Sequence, residues 1–508
     1  MATVSQPTTR RPFLGIKVQD RVFGYLCLGA ALTVLVLAAM LVIVLVHQSI
    51  PAMQKFGLAF LYTNAWNPEG QLGALAFVYG TVVTSLIAML LAVPLGVGTA
   101  AFLSEIATGW TRRVGAFLIE LLAAIPSVVY GFWGLFFLAP AVQWVFTALG
   151  YPNTGGNGIV CAGIILAIMV VPYVTAISFD VCQAVPRSQR EGSLALGSTR
   201  WQMIWTVILP YARPGIVGGC ILALGRALGE TMAVVMLIGN QPVIQTSLDA
   251  RGATVASVIA LELNNTMSDD KRSALVELGL ILLLVTIVIN GLAALLIHRL
   301  GKRRRWALLG MSHDMFRNVR QKPERPSTEP PHPTPELGGR NQQAHFTDRL
   351  MTLVLGTFLI LTCGPLFLIL GYITFKGASA LDVSFFTNTV LQSPPGLANA
   401  ILGSAILVLL ASVGAVPIGI LTAIFLAEYR KHPLVPTVRF VSELLGGVPS
   451  VVVGILGYAL LVSPFGHFSG WAGAFALGFL MVPIVVRSAE ESLKLVPQSL
   501  RNASYALG

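Results

Sequence analysis

Long apolar runs separated by short polar stretches dominate the chain, and their lengths set the expected architecture. The first run extends from Val22 to Val46, behind a basic segment from Arg10 to Arg21. It exceeds the core of a signal peptide and shows no small-residue cleavage pattern, so it is expected to stay as a membrane anchor. Runs near 77–103, 115–139, 158–182, 214–239 and 275–298 are each long enough to cross a bilayer, and four more follow near 350–374, 399–427, 440–462 and 471–486. The pattern predicts an all-α polytopic membrane protein with about ten transmembrane helices. Residues 299–349 interrupt the series. Within them Lys322 to Pro335 is proline-rich with nothing to bury, which predicts an extended linker.

The runs on either side of this linker repeat one another. Val93-Pro-Leu-Gly96 returns as Val416-Pro-Ile-Gly419, and Phe102-Leu-Ser-Glu105 as Phe425-Leu-Ala-Glu428. Glu120-Leu-Leu-Ala-Ala-Ile-Pro-Ser127 returns as Glu443-Leu-Leu-Gly-Gly-Val-Pro-Ser450, and all three pairs share an offset of 323. Later matches, Pro172 with Pro483 and Pro186 with Pro497, share an offset of 311, so the second copy lacks 12 residues in a connection. Both copies keep the same orientation, which is a parallel duplication and not an inverted one. Two similar membrane halves on one chain are what fusion of a heterodimeric pair would produce.

Composition agrees with the run pattern. Of 508 residues, 55% are hydrophobic and only 11% charged, with a mean hydropathy of +0.77. A soluble globular chain carries about 25% charged residues, so a soluble fold is excluded. The net charge of +11 does not point to nucleic acid, because the arginines sit in short connections beside apolar runs. One set of connections holds Arg10, Arg11, Lys17 and Arg21, then Arg112 and Arg113, then Arg187, Arg190, Arg200 and Arg213, then Arg299 and Lys302 to Arg305. The alternate connections are poor in arginine, so the positive-inside bias predicts a cytoplasmic N-terminus and a cytoplasmic Glu191 connection. The five cysteines and seven histidines are scattered without metal-like spacing, and no metal site is expected. No G-x-x-x-x-G-K-[ST] loop occurs, so ATP hydrolysis is not expected on this chain.

Polar residues inside the apolar runs are the candidates for function. Arg226 and Glu230 share the run 214–239, four residues apart on one face if the helix is continuous. A charge near mid-membrane costs about 2.5–3.5 kcal/mol on insertion scales and normally faces a pathway or a partner. The pair either neutralises itself or serves transport, and arginine preceding glutamate is the weaker order for self-pairing. Ser127 and Ser450 follow prolines in the third run of each copy, where a kink offers either a simple bend or a pair of hydroxyl donors. Glu120 and Glu443 lie near the ends of the same runs. They are expected to pair with Arg113 and Arg439 or to touch the polar connections, in a structural role.

The connection Arg190-Glu-Gly-Ser-Leu-Ala-Leu-Gly197, continuing to Val207-Ile-Leu-Pro210, has the form E-x-x-x-x-x-G-x9-V-I-L-P. It predicts a small-residue helix, a glycine turn and a second helix ending at a proline. This resembles the EAA loop of ABC importer permeases, the segment that docks on the ATPase subunit. Glu120 to Gly131, Ala223-Leu-Gly-Arg-Ala-Leu-Gly-Glu-Thr-Met-Ala-Val234 and Ile238-Gly-Asn240 resemble the phosphate-specific (Pst) permeases of the binding-protein-dependent transport family. Residues 1–310 are similar to the PstC type and 345–508 to the PstA type. The resemblance implies two tandem type I ABC importer permease halves. A cytoplasmic segment 1–21 would precede a PstC-like domain 22–298 with its EAA loop at 186–213. A cytoplasmic linker 299–349 would lead to an incomplete PstA-like domain 350–508.

Its further implications are residue by residue. Arg226, Glu230, Thr231, Ser127 and Ser450 would line the substrate pathway. Glu191, Gly192, Gly197 and Pro210 would form one coupling loop, and Asn502, Ala503 and Gly508 the second, where Asn502 stands in place of the glutamate. The sequence stops inside that second loop, as a fragment or truncated gene would. The implied setting is the bacterial inner membrane, with lipid around the spans and inorganic phosphate as substrate. The implied partners are a PstB-like ATPase dimer and a PstS-like extracytoplasmic phosphate-binding protein. No cofactor on this chain and no nucleic acid are implied. A permease for phosphonate or sulfate, an ion-driven transporter and a phosphate-sensing subunit are the alternatives.

Overall fold

Helix after helix follows the apolar runs, with breaks where proline and glycine remove backbone hydrogen bonds. In this computed structural model the described residues are 14–67, 70–151, 155–245, 247, 250–266, 268–292, 295 and 340–507. Helix α1 spans Leu14–Phe56. Helix α2, Leu75–Ile106, ends in a π-helical turn at Phe102–Ile106. Helix α3 is Gly109–Ala124, and α4 is Ser127–Ala148 with a π-turn at Gly134–Leu138. Helix α5, Ile159–Gln183, leads to the short α6, Arg187–Ala195. Helix α7 covers Arg200–Leu228, α8 Met232–Leu237, α9 Val255–Glu262 and α10 Asp269–Leu292. Helix α11, Arg340–Gly377, precedes α12, Ala398–Glu428. The series closes with α13, Val435–Gly446, α14, Ser450–Phe465, α15, Gly470–Lys494, and α16, Gln498–Leu507.

Nine helices among the described residues are long and apolar enough to cross a membrane, or ten if α13 and α14 form one span. The chain is therefore an all-helical polytopic membrane protein. Helix α11 begins at Arg340, inside the stretch expected as linker, while residues 299–339 lie outside the described residues.

Three expectations are corrected at the breaks. The run 115–139 is not one kinked span: Ile125 and Pro126 are extended (ψ 130° and 140°) and separate α3 from α4. The cause is proline, which lacks an N–H and pushes its predecessor out of the helical region. Pro449 does the same in the second copy, where α13 and α14 meet at a bend of 99°. The run 214–239 is also interrupted, because α7 ends at Leu228 and α8 starts only at Met232. Gly229 caps α7 there, and Thr231, β-branched, precedes the next turn. Finally, Pro210 does not end a helix. Helix α7 runs through it, with the π-turn Ile204–Ile208 immediately before; the wider turn accommodates a residue that cannot donate to the ladder.

The chain divides into two compact units, residues 51–381 and residues 1–50 with 382–508. These units do not coincide with the expected domain boundaries: α1 belongs with α12 to α16, and α11 belongs with α2 to α10.

In the larger unit α5 is the most buried span, with Ala162, Ile165, Leu166, Val170 and Val174 inaccessible. Helix α2 lies against it so closely that a Cβ at Gly96 would come within 2.7 Å of Val174 Cγ1. In the smaller unit a Cβ at Gly419 would come within 2.6 Å of Val485 Cγ1, and these residues hold the repeat positions of Gly96 and Val174. Helix α11 joins the larger unit through Thr362, whose hydroxyl meets that of Thr99 at 3.0 Å in a buried pair. Trp66 Nε1 donates to Glu262 at 2.9 Å and Lys271 pairs with the same carboxylate at 2.9 Å, tying two connections together.

Gly96→Leu and Gly419→Leu are each expected to cost about 1–3 kcal/mol by overpacking. Melting of the detergent-solubilised protein should drop for both. Gly371→Leu, where nothing lies within 4 Å, should leave the midpoint in place.

Candidate functional site

The breaks after Pro126 and Leu228 belong to helices that pack together. Helix α8 lies on the first turns of α4, with Met236, Ala233 and Met232 beside Gly131 and Leu237 beside Gly134. Arg226, in the last turn of α7, is exposed and stacks on Tyr173 of α5, its guanidinium carbon 4.2 Å from the ring centroid. Tyr130 lies within electrostatic reach of both Arg226 and Tyr173. Its hydroxyl donates to the Leu122 carbonyl at 2.6 Å, bridging the break between α3 and α4. A cation over an aromatic face gains about 0.5–2 kcal/mol and retains its donors for another ligand.

The Arg226–Glu230 pair expected on one helix face does not form. Glu230 lies beyond the end of α7, in the non-helical link, and neither side chain has an ion pair among the described residues. The interruption at Gly229 removes the four-residue register that would have joined them. Thr231 is buried and its hydroxyl donates to the Gly229 carbonyl at 3.3 Å.

Ser127 and Ser450 each occupy the first position of a new helix, after Pro126 and Pro449. Neither hydroxyl has a partner among the described residues, whereas Thr81, Thr84 and Thr175 all bond back to carbonyls of their own helices. A serine at a helix start has no preceding helical turn to bond to, so the bend-stabilising bond is absent. Ser127 is partly buried and Ser450 exposed.

The Glu191 segment has a different character. Helix α6 has no buried residue; Glu191, Gly192, Leu194 and Leu196 are exposed, the last at 89%. Gly197 adopts φ +84°, a left-handed turn that glycine takes without steric cost. Thr199 then caps α7 in a capping box with Gln202. Asp348 of α11 accepts from the Trp201 N–H at 2.8 Å. Asn502 and Ala503 are exposed on α16, while Gly508 lies outside the described residues.

Arg190 of α6 has a strong internal partner. Its Nε and Nη2 donate to the two oxygens of Glu105 at 3.0 and 2.9 Å, and the Glu105 side chain is only 4% exposed. Its remaining donors reach the carbonyls of Cys182, at 2.7 Å, and Val185. This pair was not among the sequence-derived candidates, although both residues stood in the quoted motifs; 85 positions separate them and no local spacing links them. The second copy holds a lesser version of it, with Arg501 bonded through one nitrogen to Glu428 and through another to the Leu493 carbonyl, the latter at 2.6 Å, while its Nε has no partner among the described residues.

Arg439 does not pair with Glu443. It bonds Glu490 at 2.6 Å, and Lys494 joins the same carboxylate at 2.9 Å. Glu490 is buried one turn before the end of α15 and takes both cations, while Glu443 is exposed. Glu120 is exposed as well. Glu277 of α10 is a further buried carboxyl, with Oε2 unpartnered among the described residues. A lone glutamate in the run Ser273 to Leu284 was the available signal for it.

Comparison with known proteins places the chain in a family. The family model for the binding-protein-dependent transport system inner membrane component matches residues 92–302. The phosphate transport system permease protein PstC of Mesorhizobium japonicum is 43% identical over 299 residues, covering 56% of this chain and 91% of that protein. PstC of Pasteurella multocida is 43% identical over 288 residues, 54% of this chain and 90% of that protein. A probable PstC of Methanocaldococcus jannaschii is 32% identical over 285 residues, 53% of this chain and 90% of that protein.

Proposed function

We propose, because this chain belongs to the family of binding-protein-dependent transport system inner membrane components, that it is the permease of an ATP-driven importer of inorganic phosphate. The family supplies the membrane component and not the ATPase, and is typically without a cofactor. The observation that carries the phosphate reading is Arg226: an exposed guanidinium at a helix break, held by Tyr173 and not neutralised by Glu230 among the described residues. Its planar fork of donors fits a tetrahedral oxyanion. Ser127, with a free hydroxyl at the start of α4, and Thr231 in the adjoining break add polar groups from the same pair of interruptions. Broken helices are the usual way for a transporter to present backbone and side-chain donors inside a bilayer.

In this reading the two sequence copies are tandem permease halves on one chain, the first of PstC type and the second of PstA type. Ser450 then serves the second half as Ser127 serves the first. The Glu191 segment faces the cytoplasm together with the N-terminus and docks on a PstB-like ATPase dimer. Its exposed Leu194 and Leu196, the Gly197 turn and the α7 segment that runs through Pro210 form one docking element. Asn502, Ala503 and Gly508 belong to the other. A PstS-like binding protein delivers phosphate from the opposite side of a bacterial inner membrane.

Competition during uptake tests the substrate. Sulfate carries no proton at neutral pH and methylphosphonate has a methyl where phosphate has a fourth oxygen, and a site built to bond the missing group rejects such analogues by a large factor, up to about 10⁴. Excess unlabelled phosphate is therefore expected to abolish uptake of radiolabelled phosphate, while equal sulfate or methylphosphonate leaves it nearly unchanged. Stronger competition by sulfate or phosphonate than by phosphate would overturn the substrate assignment and keep the permease.

A further inference from the structure

Helix α6 has no buried residue, yet it must not swing freely if it is to pass on a displacement. Arg190 anchors it. The guanidinium grips both oxygens of Glu105, in the π-turn that ends α2, and bonds the carbonyls of Cys182 and Val185 where α5 ends. The last carbonyls of a helix have no partners within it, and a cation there also complements the helix dipole. One side chain therefore joins α6 to the ends of two spans, through a carboxylate that is almost wholly withdrawn from solvent.

The second copy repeats the contact in a weaker, singly bonded form, with Arg501 Nε unpartnered among the described residues. Arg501 of α16 bonds Glu428 at the end of α12 and the Leu493 carbonyl at the end of α15. Arg501 and Leu493 stand 311 positions after Arg190 and Cys182, and Glu428 stands 323 after Glu105. The copies have diverged next to this point, where Glu191 is replaced by Asn502. The latch is the part present in both.

We propose that Arg190–Glu105 and Arg501–Glu428 are coupling latches, positioning residues that make each exposed docking helix move as one piece with the span ending in the paired glutamate. The inference rests on the ATP-driven importer reading. A displacement imposed on α6 then travels into α2 through a bidentate pair whose geometry tolerates little rotation. Without the latch the same displacement is absorbed by bending at residues 184–186. ATP hydrolysis continues and its yield of transport falls.

The test uses the full chain with its ATPase and binding protein in liposomes, and reads phosphate moved per ATP hydrolysed. Glu105→Gln is expected to lower that ratio by about fivefold or more, given a tenfold change per 1.4 kcal/mol. The exchange Glu105→Arg with Arg190→Glu is expected to restore part of it. An ion pair that served stability alone would reduce the amount of complex and leave the ratio at the parent value, which would overturn the proposal. If Glu105→Gln does not assemble, Arg190→Lys, which keeps the charge and loses the fork, is held to the same expectation. A second readout does not depend on the cargo: spin labels at L196C and T108C in the complex with the ATPase. Their separation should stay narrow on vanadate trapping and broaden in Glu105→Gln; equal widths would overturn the latch. A parent complex that moves no phosphate while its labels behave as expected would overturn the substrate reading and leave the latch standing.

Discussion

Arg226→Ala is expected to lower phosphate uptake about 100-fold, from the loss of a charge-assisted hydrogen bond of about 1.5–3 kcal/mol together with its attraction for the anion. The protein should reach the membrane in normal amount. Arg226 has no ion pair among the described residues and is exposed, so its removal strands no buried carboxylate. What it loses internally is the stacking on Tyr173, worth about 1 kcal/mol. Arg226→Lys retains the charge but not the planar fork, and an intermediate loss of about tenfold is expected. Uptake by the alanine variant at the parent rate, with equal protein in the membrane, would remove Arg226 from the pathway. Loss of the protein itself would instead identify a structural cation.

The second large effect is expected at Gly197. Gly197→Asp should bring uptake to background while the chain stays in the membrane. The turn at φ +84° carries the reversal between α6 and α7, and a nearby non-glycine residue costs about 1–2 kcal/mol in that region. Space is not the problem, since nothing lies within 4 Å of a Cβ there. Aspartate also puts a negative charge on the exposed docking element beside Leu196. Backbone and charge separate cleanly: Gly197→Asn tolerates the left-handed turn and should retain most uptake, whereas Gly197→Val, β-branched, should lose it. Normal uptake by both the aspartate and the valine variants would end the coupling role of this segment.

Much of the architecture is legible in the sequence because run length and hydropathy are nearly sufficient for a membrane helix. The spans near 77–103, 158–182 and 399–427 fall within a few residues of α2, α5 and α12. The repeat is legible too, and Gly96 with Val174 against Gly419 with Val485 shows how far it extends into packing. Less legible is whether a proline bends a helix or breaks it. Pro94, Pro172 and Pro417 sit inside continuous helices, while Pro126 and Pro449 separate two. Proline makes a break possible at every one of these positions, and its presence in the sequence does not by itself tell a bend from a break. The Arg226–Glu230 register is lost for a related reason, since the helix that would carry both ends at Gly229. The pairing of Arg190 with Glu105 and of Arg439 with Glu490 depends on how distant elements approach, which spacing along the chain does not encode. The placement of α1 and α11 in the units they join is similarly invisible to local pattern, because both are simply long apolar helices.

The most direct test of the account is ATP-driven accumulation of radiolabelled phosphate by liposomes holding this chain, the ATPase dimer and the phosphate-binding protein. Accumulation is expected to require internal access of the ATPase to ATP and to continue in the presence of an uncoupler. Accumulation that persists without ATP and collapses with the uncoupler would contradict an ATP-driven permease and assign the chain to ion-gradient transport.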